Sequence, residues 1–170
     1  MDKGNRKNDL FANAMSNLMR DKLGMSIDLL DEILRADPDD KPALLARGTV
    51  YLKMGNAKSA KTDFSRVLEI DAKNPKAHHL RGLASEMEGN DNEALNDFNH
   101  AIGIDPEYGA AYYSRATLLT KLGQETEAAE DMKMVVQLTS VKIESFANEN
   151  NTWRSNQLRI ESILENEMQR

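Results

Sequence analysis

Displaced by 34 residues, the chain overlays itself without a gap, and a period of that length means one supersecondary unit copied and stacked. Small residues recur at Ala14, Gly48, Gly82 and Ala116, and again at Ser26, Ala60, Ala94 and Ala128. Large apolar residues fall at Leu30, Phe64, Phe98 and Met132, followed by Ile33, Val67, Ala101 and Val135. Gly55, Gly89 and Gly123 align, as do Asp37, Asp71 and Asp105, with Pro38 and Pro106 following two of them.

Each unit holds two blocks of apolar residues at helical spacing, for example Leu44–Met54 and Ala60–Ile70. Gly55 lies between them and suits a left-handed helix end. Asp37-Pro38 and Asp105-Pro106 stop the second helix, because proline cannot continue it. Gly48 and Gly82 are expected to face Ala60 and Ala94, bringing two backbones together while Phe64 and Phe98 reach the next unit. One helix pair cannot bury its own apolar stripe, so the units must stack. The expectation is an all-α solenoid of antiparallel helix pairs.

Composition agrees and excludes several functions. Aromatic content of 5% is low for an all-β sandwich. A net charge of −6 argues against nucleic acid as partner, since phosphate binding needs a basic face. With no cysteine there is no disulfide, thiolate metal site or cysteine nucleophile. The polar start, Met1 to Asn8, leads into no apolar signal core, and no run of about 18 apolar residues occurs. A cytoplasmic chain without membrane insertion is therefore expected.

The unit Ala43-Leu44-Leu45-Ala46-Arg47-Gly48 … Gly55 … Ala60 … Phe64 … Val67-Leu68-Glu69-Ile70-Asp71 resembles the tetratricopeptide repeat family, as does Arg81-Gly82 … Gly89 … Ala94 … Phe98 … Ala101-Ile102 … Ile104-Asp105-Pro106. The resemblance spans about residues 7–140 and divides them into four units, 7–40, 41–74, 75–108 and 109–140. It departs from the family at Asp21, which replaces the turn glycine with Gly24 nearby, and at Ala72 and Ser140, where the terminal proline is missing. The usual large aromatic early in each first helix is Leu10, Leu44, His78 and Tyr112. Residues 1–6 are expected to be a flexible terminus. Residues 141–170 are read as a loop and a C-terminal capping helix carrying Trp153, Ile160, Ile163, Leu164 and Met168, with a homodimer contact through that helix as the alternative.

One regularity lies outside the apolar columns. Arg47, Arg81 and Arg115 stand 34 apart, and Asp63, Asp97 and Asp131 each follow an arginine by 16. A half-buried guanidinium needs a carboxylate partner, so an ion pair repeated in each layer is expected rather than a ladder for acidic ligands.

The remaining constellations favour plain structural readings. His78 and His79 are adjacent and point about 100° apart on a helix, so no metal site is expected from them and His100. Glu88 to Glu93 resembles a calcium loop only faintly and falls at an interhelix turn, where Asp91 or Asn92 is expected to cap a helix. No phosphate loop, nucleophile elbow or HExxH motif occurs, so neither catalysis nor a cofactor is expected.

The resemblance implies function as well as fold. In this family the first helices line a concave groove, which implies that Leu45 and Thr49, then Lys76, His79 and Leu83, then Tyr113 and Thr117 face a protein or peptide. His79 and Tyr113 are the expected anchors. Co-chaperones of the family grip chaperone C-termini with lysines, asparagines and an arginine. The matching places here hold Phe11, Met15, Ala46, Lys76 and Leu80, or one unit later Leu45, Thr49, Leu80, Ala110 and Ser114. Only Lys76 fits. The expectation is a protein-interaction scaffold, with a chaperone for secreted or assembling subunits as the alternative and an enzyme with an unrecognised site the weakest.

Overall fold

A computed structural model describes residues 3–140. They form α1 (Lys3–Met19), α2 (Leu23–Ala36), α3 (Lys41–Lys53), α4 (Ala57–Ile70), α5 (Pro75–Met87), α6 (Asp91–Ile104), α7 (Gly109–Lys121) and a helical stretch over residues 125–140, α8. No strand occurs among the described residues, so the fold is the expected all-α helical repeat. The terminal helix and its dimer alternative fall outside the described residues. Helix α1 starts inside the segment read as a flexible terminus, and Arg6 pairs with Glu32 of α2 at 2.6 Å.

Local chemistry places the boundaries. Asp40, Asn56 and Asn74 cap α3, α4 and α5 by accepting from the backbone N–H of Ala43, Ser59 and Ala77. Pro75 opens α5, where a missing N–H costs nothing. At α6 the capping position is Asn90, not Asp91 or Asn92, and its side chain makes no cap bond. Asp91 is already helical and instead reaches Lys121, 3.0 Å away. The turns that follow α3, α5 and α7 place Gly55, Gly89 and Gly123 at φ of 76°, 79° and 77°. Asp21 takes φ 60° at the same turn of the first pair, a conformation that aspartate tolerates better than most non-glycine residues.

The small-residue columns are buried throughout, and they meet something larger than expected. A Cβ built on Gly48 would lie 2.5 Å from the Phe64 ring, and one on Gly82 2.6 Å from the Phe98 ring. Each glycine thus seats the phenylalanine of its own unit rather than only an alanine. The same rings also contact the next unit, Phe64 against Ala84 and Phe98 against Leu118. In the first pair the crossing is polar: Ser26 Oγ donates to the Ala14 carbonyl at 2.9 Å. The column weakens at the far end, where Met132 is 40% exposed while Leu30, Phe64 and Phe98 are fully buried.

Helix adjacency sets the curvature. Each helix from α1 to α7 packs on the next, and α1 also touches α3, α3 touches α5, and α5 touches α7. No two of α2, α4 and α6 touch. The odd-numbered helices are therefore closer together and form the inner wall of the stack.

Candidate functional site

The inner wall holds the residues expected to bind. Leu45, Thr49 and Leu83 are half-buried on α3 and α5, Lys76 is exposed at the start of α5, and Tyr113 and Thr117 are exposed on α7. The threonine hydroxyls are already engaged: Thr49 donates to the Leu45 carbonyl at 2.7 Å and Thr117 to the Tyr113 carbonyl at 2.9 Å. Their methyl groups and hydroxyl lone pairs remain for a ligand.

His79 differs from the exposed anchor that its position suggests, because it is only 7% exposed. Its Nε2 lies 2.9 Å from Ser114 Oγ and its Nδ1 3.2 Å from the Tyr108 hydroxyl. The ring meets Tyr108 edge-on and tilts against Phe98. Burial lowers its pKa to about 4. A neutral imidazole donates at one nitrogen and accepts at the other, and two hydroxyls can satisfy both. His79 therefore ties α5 to α7 and to the turn before α7.

Beside it opens a cleft of about 680 Å³, lined by His79, Tyr108, Tyr113, Ser114, Glu107 and Val135 among others. Tyr113, 56% exposed, is an exposed aromatic ring among them. Burial raises the pKa of the Tyr108 hydroxyl, reinforced by Asp105, so it stays a neutral donor. Of the seven residues expected to bind, the cleft gathers His79 and Tyr113. Lys76, Leu83, Thr117, Leu45 and Thr49 lie along other parts of the same wall. Sequence reasoning missed Tyr108 and Ser114. Ser114 stands 35 residues after His79, one residue beyond the repeat period, and that offset is the only signal that could have exposed it.

The arginine–aspartate pairs form as the spacing predicts. Arg47 clasps Asp63 through Nε and Nη2 at 2.9 and 2.7 Å, Arg81 clasps Asp97 at 2.8 Å twice, and Arg115 clasps Asp131 at 2.7 and 2.6 Å. The three carboxylates are buried, and the bidentate geometry matches a planar guanidinium. Arg47 also reaches back 16 residues to Asp31 and Arg115 to Asn99. The equivalent place for Arg81 holds Ser65, with no such bond.

A second cluster gathers on α5 and α6. His78 Nδ1 lies 3.0 Å from Asp97 Oδ1, its Nε2 lies 3.2 Å from the Ala72 carbonyl, and its ring stacks on His100 with centroids 5.2 Å apart. The reading that His78 and His79 face different ways holds, but His78 is joined by His100 and Asp97 instead.

Two tetratricopeptide repeat models match the sequence, one over residues 25–84 and one over residues 75–108. Among solved structures the chain is similar to MamA, residues 41 to the end, from Desulfovibrio magneticus RS-1, with 19% identity, a TM-score of 0.71, and coverage of 79% of this chain and 76% of that one. It is also similar to a tetratricopeptide repeat protein from Parabacteroides merdae, with 26% identity, a TM-score of 0.68, and coverage of 75% and 50%. A third likeness is the first TPR of Spaghetti, solved bound to an HSP90 peptide, with 18% identity, a TM-score of 0.65, and coverage of 70% and 94%. Among curated proteins no sequence match was found.

Proposed function

The chain belongs to the tetratricopeptide repeat family, and on that premise we propose that it is a scaffold binding a protein or peptide along the wall formed by α1, α3, α5 and α7. The cleft beside Tyr113 carries this reading. It combines an exposed aromatic ring with hydroxyl and imidazole groups, the mixture that anchors extended peptides. No helix among the described residues is long and apolar enough to cross a membrane.

The bound segment is of a different type from a chaperone tail held by its carboxylates. Lys76 is the only cation at the positions that such a clamp uses. The Spaghetti repeat takes an HSP90 peptide, yet this wall offers Tyr113, Leu83, Leu45, Thr49 and Thr117, together with Glu86, whose pKa burial raises. An apolar or aromatic segment suits it better than an acidic one.

Because His79 is buried, the test uses exposed residues. A partner recovered by affinity capture is titrated against the wild type and the Lys76→Ala, Tyr113→Ala, Thr117→Ala triple variant. Affinity is expected to fall at least about tenfold with helicity unchanged. Equal affinity would remove the inner wall as the binding surface.

A further inference from the structure

We propose that His78, Asp97 and His100 form a binding site for one divalent transition-metal ion of the zinc class. One donor atom from each residue lies within 4.8 Å of the others.

The hydrogen bonds around the two rings decide which nitrogens are free. The His78 ring faces two groups that can only accept, the Ala72 carbonyl at Nε2 and the Asp97 carboxylate at Nδ1, so a neutral ring donates to one and turns a lone pair toward the other. In the tautomer that donates to Ala72, Nδ1 presents a lone pair 3.0 Å from Asp97 Oδ1. Two lone pairs at that distance repel, and the contact becomes favourable only with a cation shared between them, either a proton or a metal ion. His100 repeats the arrangement. Its Nδ1 lies 2.7 Å from the Asn96 carbonyl, which leaves Nε2 with the free lone pair. A ligating histidine characteristically donates its other ring N–H to a carbonyl in this way, which fixes tautomer and orientation.

The third donor is also held in place. Arg81 donates to both oxygens of Asp97, Nε to Oδ2 and Nη2 to Oδ1, each at 2.8 Å, and Oδ1 also faces His78 Nδ1 at 3.0 Å. The guanidinium opposes an ion by its charge and favours it by fixing the carboxylate. Glu93, on the same opening, is itself paired with Lys61. The opening, about 280 Å³, is lined by Asp97 and His100 with Lys61, Ser65, Arg81 and Glu93 among others, so an ion from solvent meets two of the three donors there. Donors of a tetrahedral site lie roughly 3.4 Å apart, so binding turns the exposed His100 ring out of its stack on His78 until both in-plane lone pairs meet one ion. Two imidazoles and one carboxylate suit zinc, nickel or copper rather than magnesium or calcium.

The repeat supplies an independent observation. At the position of His78 the other units carry Leu10, Leu44 and Tyr112, and at that of His100 the second and fourth units carry Arg66 and Met134. Only the third unit departs toward histidine at both positions, and the fold stacks those two rings beside a ladder carboxylate.

The test is calorimetric titration of the metal-stripped full chain with zinc chloride. One ion per chain is expected to saturate the site, with magnesium chloride giving no heat. His100→Ala, at an exposed position, should keep the metal-free melting temperature and weaken zinc binding at least about tenfold. His78→Leu, which installs the residue of the second unit, should weaken it as much, whereas His79→Gln should leave it unchanged. Absence of saturable binding at one ion per chain, or equal affinity in the wild type, His100→Ala and His78→Leu, would overturn the proposal.

Discussion

The two faces of α5 place adjacent histidines in opposite chemistry. On the inner wall, His79 sits among Tyr108, Ser114 and Phe98, where burial keeps it neutral and two hydroxyls satisfy it. Toward α6, His78 sits between a carbonyl and the carboxylate of the Arg81–Asp97 pair, both of which can only accept. A single residue step turns a side chain about 100° around a helix and moves it from a desolvated wall to a charged seam. The seam is a stability element in every layer that has it, whereas the wall mixes buried supports such as His79 with exposed contact residues such as Tyr113.

The largest expected effect comes from breaking the seam. Asp97→Ala strands the Arg81 guanidinium and should cost about 3–5 kcal/mol in urea denaturation. Adding Arg81→Leu should recover part of that loss, and strictly additive losses would refute the pairing. Next comes the wall. His79 has a folded pKa of about 4 against 6.5 for the free side chain. Between those values the unfolded chain binds a proton that the folded chain refuses. Stability should therefore fall by on the order of 3 kcal/mol as pH drops from 6.5 to 4. His79→Gln should remove that step.

A third measurement separates the faces by pH alone. Burial acts to raise the Asp97 pKa, and hydrogen bonds from Arg81 and His78 outweigh it, so the value lies below 3.8. A lowered carboxylate pKa stabilises the fold above the unfolded value and loses that contribution as pH falls through the folded one. The seam should thus weaken only below pH 3.8, after the His79 step is complete, and a single merged acid transition would contradict the assignment. The smallest effect is expected at Tyr113. Tyr113→Ala should change stability by no more than about 0.5 kcal/mol, because the ring is mostly exposed, and its consequence should appear in partner binding instead.

Some of this was legible in the residues alone. The offset of 16 between Arg81 and Asp97 recurs in three units, so a geometric constraint could be inferred before any coordinates. The first unit, with Asn13 and Leu29 at those positions, lacks the pair and relies on Ser26 and a dense apolar cluster. The environment of His79 was not legible. Its burial depends on Tyr108, which stands in a turn, and on Ser114, whose own position carries no apolar signal. The His78–His100 stack was equally hidden, since the residues are 22 apart and match no repeated spacing.

The sequence by itself determined the period, the helix pairs, the glycine turns and the ion-pair ladder, because each repeats and so declares a constraint common to every layer. The tertiary structure decided which residues of α5 stay exposed and which histidines meet. Those outcomes depend on how one helix pair lies against the next, and that follows from packing Phe64 against Ala84 and Phe98 against Leu118 of the following unit, not from any residue read alone.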